Sequence, residues 1–153
     1  MTDPRFDGPR AFTRVEIVCP DDRHYPYLQD ALEIRVFGGV ARRPDALDTL
    51  ASLQTRFRNQ PGVRTVNIRR HHGCGFQTQG DETQQSMTDL IAQVTGRRPE
   101  SLETFTDPAD DVRKDMEVLR QYHWLPGTVF SGYVVDLDSL ESVLVERFEV
   151  PTV

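Results

Sequence analysis

Two cysteines and one histidine are the residues of this sequence whose types and spacing favour metal chemistry. Cys19 closes a short β-branched run, and His71 and Cys74 stand three residues apart after another such run. Two thiolates and one imidazole suit Zn²⁺, and a catalytic zinc site keeps its fourth position open. The sequence therefore predicts a zinc site held by Cys19, His71 and Cys74, if folding brings the two segments together.

A carboxylate and a guanidinium follow the first cysteine at a spacing that suits control of a metal-bound water. Asp21 lies two residues after Cys19, and Arg23 lies two residues further on. A bidentate ion pair with Arg23 would hold Asp21 as a hydrogen-bond acceptor for the water, whose pKa the metal lowers towards neutrality. Asp21 could instead bind the metal as a fourth ligand and close the site, and the pair could be purely structural.

Each of these residues also has an ordinary interpretation. The two cysteines could be buried thiols, since free cysteine is among the most buried residue types, and His71 could be a hydrogen-bonded histidine at a strand end. We expect His72 to be an exposed neighbour or to support the ligands, rather than to be a ligand itself. We expect His24 and His123 at the surface or at an interface, with proton shuttling as an alternative for His24.

Strand and helix patterns place the candidate ligands at strand ends. Alternating or β-branched runs predict strands, and apolar residues at helical spacing predict helices. The predicted strands cover 14–19, 32–37, 63–68, 129–137 and 142–148. Strands that alternate with helices indicate an α/β, three-layer domain with a mostly parallel central sheet. We expect the strand order 2-1-3-4 plus edge strand 5, which makes the first and third strands neighbours where α/β sheets bind ligands.

The predicted helices carry start and stop signals. Pro44 suits a first helical turn, and Gly96 is expected as a C-cap. Asp107 is expected as an N-cap, with Asp110 and Asp111 favoured by the helix dipole. The apolar faces, which we expect to be core, comprise Leu47, Leu50, Leu53 and Phe57 in the first helix, Met87, Leu90, Ile91 and Val94 in the second, and Val112, Met116 and Leu119 in the third.

Length and composition limit the class of protein. The chain has 153 residues with 18 basic and 24 acidic side chains, and a net charge of −6. We expect one domain over 13–153 after an irregular arm over 1–12. The acidic balance does not favour nucleic acid or an anionic membrane as a partner, and the lack of a secretory signal predicts a cytoplasmic protein. Lys114 is the only lysine, and we interpret the scattered arginines as compositional bias.

Taken together, the motifs resemble those of the β-class carbonic anhydrases. Segment 19–23 has the Cys-x-Asp-x-Arg pattern of that family's first metal motif, and segment 71–75 has the His-x-x-Cys-Gly pattern of its second. Segment 34–39 is similar to the family's strand that ends in Arg-Asn-Ala-Gly-Gly. Further similarity, to a short prokaryotic branch, covers 96–99, 110–113 and 132–136, and the resemblance as a whole extends over 14–146.

The resemblance implies an activity, a cofactor and an assembly. The implied activity is reversible hydration of carbon dioxide to bicarbonate by a metal-bound hydroxide. The implied zinc ligands are Cys19, His71 and Cys74. Asp21, fixed by Arg23, is implied to accept the hydrogen bond that orients the hydroxide. Members of the family are dimers or larger with the site at the subunit boundary, which implies a homodimer or higher homo-oligomer.

Three differences from the family pattern fall around the pocket. Val36 and Phe37 replace the usual Asn-Ala, 72–73 is His-Gly instead of the commoner Thr-Asp, and the N-terminal helical arm is short or absent. We expect Phe37, Gly38 and Gly75 to line the substrate pocket, and strand alternation to put Val36 and Phe37 on opposite faces. An altered pocket leaves two alternatives open: hydrolysis of carbon disulfide or carbonyl sulfide, and a zinc-binding homologue without catalysis.

Overall fold

The computed structural model describes residues 11–19, 30–72, 81–99, 107–136, 138–139 and 141–152, without the side chains of Phe37 and 81–87. The strands in these ranges are β1 (Arg14–Val18), β2 (Ala31–Arg35), β3 (Thr65–His71), β4 (Val129–Val135) and β5 (Ser142–Glu149). The helices are α1 (Pro44–Arg56), α2 (Asp81–Thr95) and α3 (Pro108–Leu119), with short 3₁₀ turns at Phe37–Gly39 and Pro61–Arg64.

The strands form one sheet in the order β2-β1-β3-β4-β5. β1 pairs in parallel with β2 and with β3, β3 pairs in parallel with β4, and β5 runs antiparallel to β4 at the edge. The α/β class and the strand order predicted from the sequence are confirmed. Because β1 and β3 are parallel neighbours, their carboxyl ends meet at the same edge of the sheet, at the point where the strand order reverses.

Both faces of the sheet centre are covered. On one face, Val15 and Ile17 of β1 are fully buried in a core shared with α1 and α3. On the other face, Glu16 and Val18 are equally buried. Burial of consecutive residues on a strand is typical of a sheet covered on both sides, as expected for a three-layer domain. The core residues contributed by the helices include the whole predicted stripe of α3, namely Val112, Met116 and Leu119.

The helix termini follow the sequence signals. α1 begins at Pro44, which needs no amide partner in a first turn. The side chain of Asp107 accepts a hydrogen bond from the Ala109 amide at 2.9 Å and caps α3. Gly96 follows α2 with φ of 74°, and its amide donates to the Ala92 carbonyl at 2.8 Å. The predicted caps are therefore confirmed.

The second strand ends earlier than the alternating pattern predicts. β2 stops at Arg35, and residues 37–39 form a 3₁₀ turn. Gly38 and Gly39 adopt φ of 70° and 68° in this turn, a conformation open to glycine but strained for other residues. Phe37 therefore lies in a turn, and the predicted alternation of Val36 and Phe37 across a strand is wrong.

The third strand is displaced towards the candidate site. It begins at Thr65 instead of residue 63, because Pro61–Arg64 form a 3₁₀ turn. It ends at His71 instead of residue 68, because pairing with β4 continues up to His71 opposite Val135. β4 ends at Val135 instead of residue 137, and β5 continues one residue further than predicted, to Glu149.

Two residues of the apolar face predicted for the second helix are exposed. Leu90 is 54% exposed and Val94 is 78% exposed, so the interpretation of this face as buried is wrong for both residues. The helical part of the described core comes from α1 and α3. With 15 residues α2 is too short to cross a membrane, and the other helices in the described ranges are also unsuited to it.

Candidate metal centre

Cys19 and His71 lie at the carboxyl ends of two adjacent parallel strands. Cys19 is the first residue after β1, and His71 is the last residue of β3. The two strands are paired with Ile17 opposite Ile68. Each of the two candidate ligands is only 2% exposed. The fold thus brings two of the three predicted zinc ligands to one edge of the sheet, in a region shielded from solvent.

The ring of His71 is oriented by a backbone carbonyl. Its Nδ1 atom lies 3.1 Å from the carbonyl oxygen of His72, and since a carbonyl only accepts, Nδ1 carries the proton. In a neutral imidazole the lone pair then lies on Nε2, which is buried in this structure. This is the arrangement found in metal-binding histidines, whose second nitrogen donates to a carbonyl or carboxylate. His71 therefore fits a zinc ligand that binds through Nε2.

The remaining predicted site residues lie outside the described ranges. Cys74, Gly75, Asp21 and Arg23 are among them, as is His24, and their roles stay predictions. Within the described part of the chain, no group of three histidine, cysteine or acidic side chains is placed to hold a metal ion. The two donors that are described, one thiol and one imidazole, belong to the set that zinc prefers, and they fit a zinc ion completed by a further thiolate.

The 3₁₀ turn 37–39 packs directly against the two strand ends. A Cβ atom added to Gly39 would lie 2.6 Å from the carbonyl oxygen of Arg69 and 3.3 Å from the amide nitrogen of Cys19. Glycine is therefore required here by space as well as by its positive φ. Gly38, which we predicted to line the pocket, is buried in the same turn. The turn forms part of the surroundings of both candidate ligands.

A buried ionic cluster of two arginines and two aspartates lies behind this turn. Its members are Arg42, Arg70, Asp111 and Asp115, and the side chains of Arg70 and Asp115 are fully buried. Arg42 binds Asp111 at 2.7 Å and Asp115 at 2.9 Å. Arg70 donates to Asp111 at 3.0 Å and also to Asp115. Two positive and two negative charges balance, as buried charges require.

Sequence reasoning missed this cluster. The arginines were interpreted as compositional bias and Asp111 as an acid favoured by the helix dipole, but Arg42, Arg70 and Asp111 are partners in the core. One signal was present: Asp111 and Asp115 are four residues apart on α3, beside its buried apolar stripe. Burial disfavours the charged form of Arg42, yet Asp111 and Asp115 outweigh burial and raise the pKa of this arginine.

The opposite face of the sheet holds a second polar cluster around Glu16. This fully buried carboxylate accepts hydrogen bonds from Arg14 at 2.8 Å, Asn67 at 3.0 Å and Arg69 at 2.7 Å. The guanidinium of Arg69 also stacks over the ring of Tyr133, 4.7 Å from its centroid. These contacts join β1, β3 and β4 on the face to which His71 belongs, and they satisfy a charge that would otherwise be costly to bury.

Two histidines are placed as predicted. His72 and His123 are both exposed, in agreement with a solvent-facing neighbour and a surface residue. The contribution of His72 to the candidate centre comes from its backbone carbonyl, which accepts from His71.

Comparison with known proteins identifies the fold. No family model matches the sequence, and no curated protein matches it. Among solved structures, a carbonic anhydrase from Glaciozyma antarctica matches with a TM-score of 0.71 and 22% identity, covering 94% of this chain and 89% of that one. A β-carbonic anhydrase from Trichomonas vaginalis matches with a TM-score of 0.67 and 16% identity, covering 90% and 85%. A carbon disulfide hydrolase in its apo form matches with a TM-score of 0.62 and 21% identity, covering 88% and 79%.

These matches define the class of fold. The α/β domain with strand order 2-1-3-4-5 is the fold of the β-carbonic anhydrases, as the sequence motifs predict. Tetrameric β-carbonic anhydrases are among the other solved structures that share it. At this level of identity the comparison establishes the scaffold, and the chemistry has to be argued from the residues.

Proposed function

We propose that this protein is a zinc-dependent carbonic anhydrase that catalyses CO₂ + H₂O ⇌ HCO₃⁻ + H⁺. The observation that carries the proposal is the meeting of buried Cys19 and His71 at the carboxyl ends of β1 and β3. This edge is where open α/β sheets place their ligand sites. The fold shared with carbonic anhydrases supports the same conclusion.

The proposed zinc ligands are Cys19, His71 and Cys74. Zinc, when bound, supplies the Lewis acidity that makes water nucleophilic near neutral pH. The His72 carbonyl fixes the proton of His71 on Nδ1, so that Nε2 keeps its lone pair. The two cysteines supply negative charge that balances a divalent cation.

Asp21 and Arg23 are proposed to position the reacting water. The carboxylate of Asp21 would accept a hydrogen bond from the water and so direct its lone pair towards carbon dioxide. Arg23 would hold the carboxylate in place through a bidentate ion pair. Cys19 precedes Asp21 by two residues, which keeps this acceptor close to the proposed ligand.

The proposal is tested with two neighbouring histidines as a matched pair. His71→Ala should lose zinc and carbon dioxide hydration, measured by metal analysis and by stopped-flow acidification of a buffered indicator. His72→Ala should keep both, because its side chain is exposed and its backbone carbonyl remains. Zinc retention in His71→Ala, or the absence of zinc from the wild-type protein, would refute the metal centre.

Hydrolysis of carbon disulfide or carbonyl sulfide is the second candidate. It is supported by the fold shared with a carbon disulfide hydrolase and by the large residue Phe37 in the turn beside Cys19. Sulfide release, measured on the same zinc-loaded protein used for the carbon dioxide assay, separates the two activities. Zinc content without either activity would indicate a non-catalytic homologue.

We further propose that the protein is a homodimer or a larger homo-oligomer. The edge strand β5 exposes two apolar residues, Val143 at 65% and Leu144 at 50%, and tetrameric proteins share the fold. Exposed apolar residues favour association when, as here within the described ranges, they lie on the edge strand of a sheet. Sedimentation equilibrium should therefore give a mass at least twice that of one chain, and a monomeric mass would contradict this assembly.

A further inference from the structure

Arg70 connects three parts of the fold from behind the candidate ligand His71. The two residues are consecutive on β3, so their side chains point to opposite faces of the sheet. On its face, the fully buried guanidinium of Arg70 donates to the carbonyl oxygen of Gly39 and to both carboxylates of α3, Asp111 and Asp115. One side chain thus joins β3, the 37–39 turn and α3.

The turn that Arg70 holds packs against the carboxyl ends of β1 and β3, where the two described ligands lie. Gly39 is in close contact with the Arg69 carbonyl on β3 and with the Cys19 amide after β1. A displacement of Gly39 would therefore disturb the backbone at Cys19 and at Arg69, two residues before His71. The turn is anchored from its other end as well, because Asp115 accepts the amides of Ala41 at 2.9 Å and Arg42 at 3.2 Å.

We propose that Arg70 is a positioning residue for the metal centre, which fixes the spacing of Cys19 and His71 by holding the Gly39 carbonyl. This inference rests on the proposed zinc site. It assigns to Arg70 a role beyond charge neutralisation of the two aspartates, because its guanidinium also donates to the carbonyl oxygen of Gly39, which carries no charge.

The geometry requires an arginine. The guanidinium offers donors in a planar fork, and the donors of Arg70 reach three acceptors at once. A lysine keeps the positive charge but presents it as a single ammonium group. Arg70→Lys should therefore keep the cluster close to neutral. The variant should lose the ability to donate hydrogen bonds to Gly39 and to α3 at the same time.

The test compares Arg70→Lys with Arg42→Lys. Arg42 is the matched control, since it belongs to the same cluster but approaches the carboxylates from the solvent side, with its side chain 17% exposed. Zinc affinity is measured on folded protein by competition with a chelator, and the site is probed by the absorption spectrum of the Co²⁺-substituted protein. Loss of a group that supports metal ligands typically weakens metal binding roughly 10–100-fold.

We expect zinc affinity to fall at least about tenfold in Arg70→Lys, with altered Co²⁺ ligand-field bands, and to stay at the wild-type value in Arg42→Lys. If Arg70→Lys does not fold, the double variant Arg70→Met, Asp111→Asn removes the two charges in balance and should show the same loss. Wild-type affinity and spectrum in the folded variant, or equal losses in both lysine variants, would overturn the inference and leave the zinc site standing. A wild-type protein that binds no zinc would refute both.

Discussion

Gly39 lies against the carbonyl oxygen of Arg69, so closely that a methyl group on its Cα would come within 2.6 Å of that oxygen. The same methyl group would lie 3.3 Å from the amide nitrogen of Cys19, and the backbone of Gly39 has φ of 68°. The turn and the two strand ends are therefore packed as one unit. A change in the turn should therefore alter the positions of both described ligands, Cys19 and His71.

Gly39→Ala should destabilise the protein strongly. The left-handed backbone conformation costs an alanine about 1–2 kcal/mol, and the collision with β3 costs about 1–3 kcal/mol. We therefore expect a loss of roughly 2–5 kcal/mol in the free energy of unfolding. Gly96→Ala is the control, because Gly96 has φ of 74° but nothing within 4 Å of an added Cβ. It should cost only the conformational part, about 1–2 kcal/mol. Equal losses in urea unfolding of the two variants would contradict the close packing of Gly39.

Cys74→Ser tests the third proposed ligand, which the described ranges do not include. The variant should lose most of its zinc, since serine is a poor substitute for a thiolate ligand. It should also unfold at a lower temperature than the zinc-loaded wild type, because metal binding stabilises the folded state. Metal analysis and thermal unfolding with and without a chelator measure both effects. Full zinc content in Cys74→Ser would exclude this cysteine as a ligand.

The sequence predicts more of the fold than of the buried polar contacts. Alternation of strand and helix patterns, with a cap such as Asp107, is local information, and it is enough to indicate the α/β class. The strand order 2-1-3-4-5 is in addition one of the two common orders of doubly wound sheets. The partners of Arg70 are 41 and 45 residues away in the sequence, at Asp111 and Asp115. An arginine in a strand is normally exposed, so its burial depends on partners that only the folded chain brings together.

The candidate centre was predicted by residue type, and its surroundings were not. A thiol and an imidazole at the ends of two predicted strands indicated that Cys19 and His71 bind zinc. The sheet places both residues at one edge. The path of the chain beside them was predicted as strand, because alternation up to residue 37 gives no sign of where a turn begins. Two consecutive glycines with positive φ allow the 3₁₀ turn at Phe37–Gly39 that follows β2.

Arg23→Ala tests whether the proposed ion pair serves catalysis. Without its partner, Asp21 is free to bind zinc in place of water, so the variant should keep normal zinc content but lose most of its carbon dioxide hydration. Arg35→Ala is a suitable control, because Arg35 forms an exposed ion pair with Glu33 at 2.7 Å, and exposed pairs contribute little. Hydration at the wild-type rate in Arg23→Ala would show that the pair is only structural.

Phe37→Ala tests the residue that departs most in size from the family pattern. Phe37 begins the turn whose third residue, Gly39, contacts the Cys19 backbone, and a ring at the entrance of the pocket would favour a small apolar substrate over an anion. Removing it should tighten inhibition by bicarbonate or thiocyanate and leave zinc content unchanged. Phe57→Ala is the control. The ring of Phe57 packs edge-on against Phe12, with 6.2 Å between the ring centroids, and Phe12 precedes the amino end of β1. This variant should therefore lower stability without changing anion inhibition. If Phe37→Ala loses about 3–5 kcal/mol of stability, as a buried ring does, with unaltered anion inhibition and hydration rate, then the ring belongs to the core and does not shape the pocket.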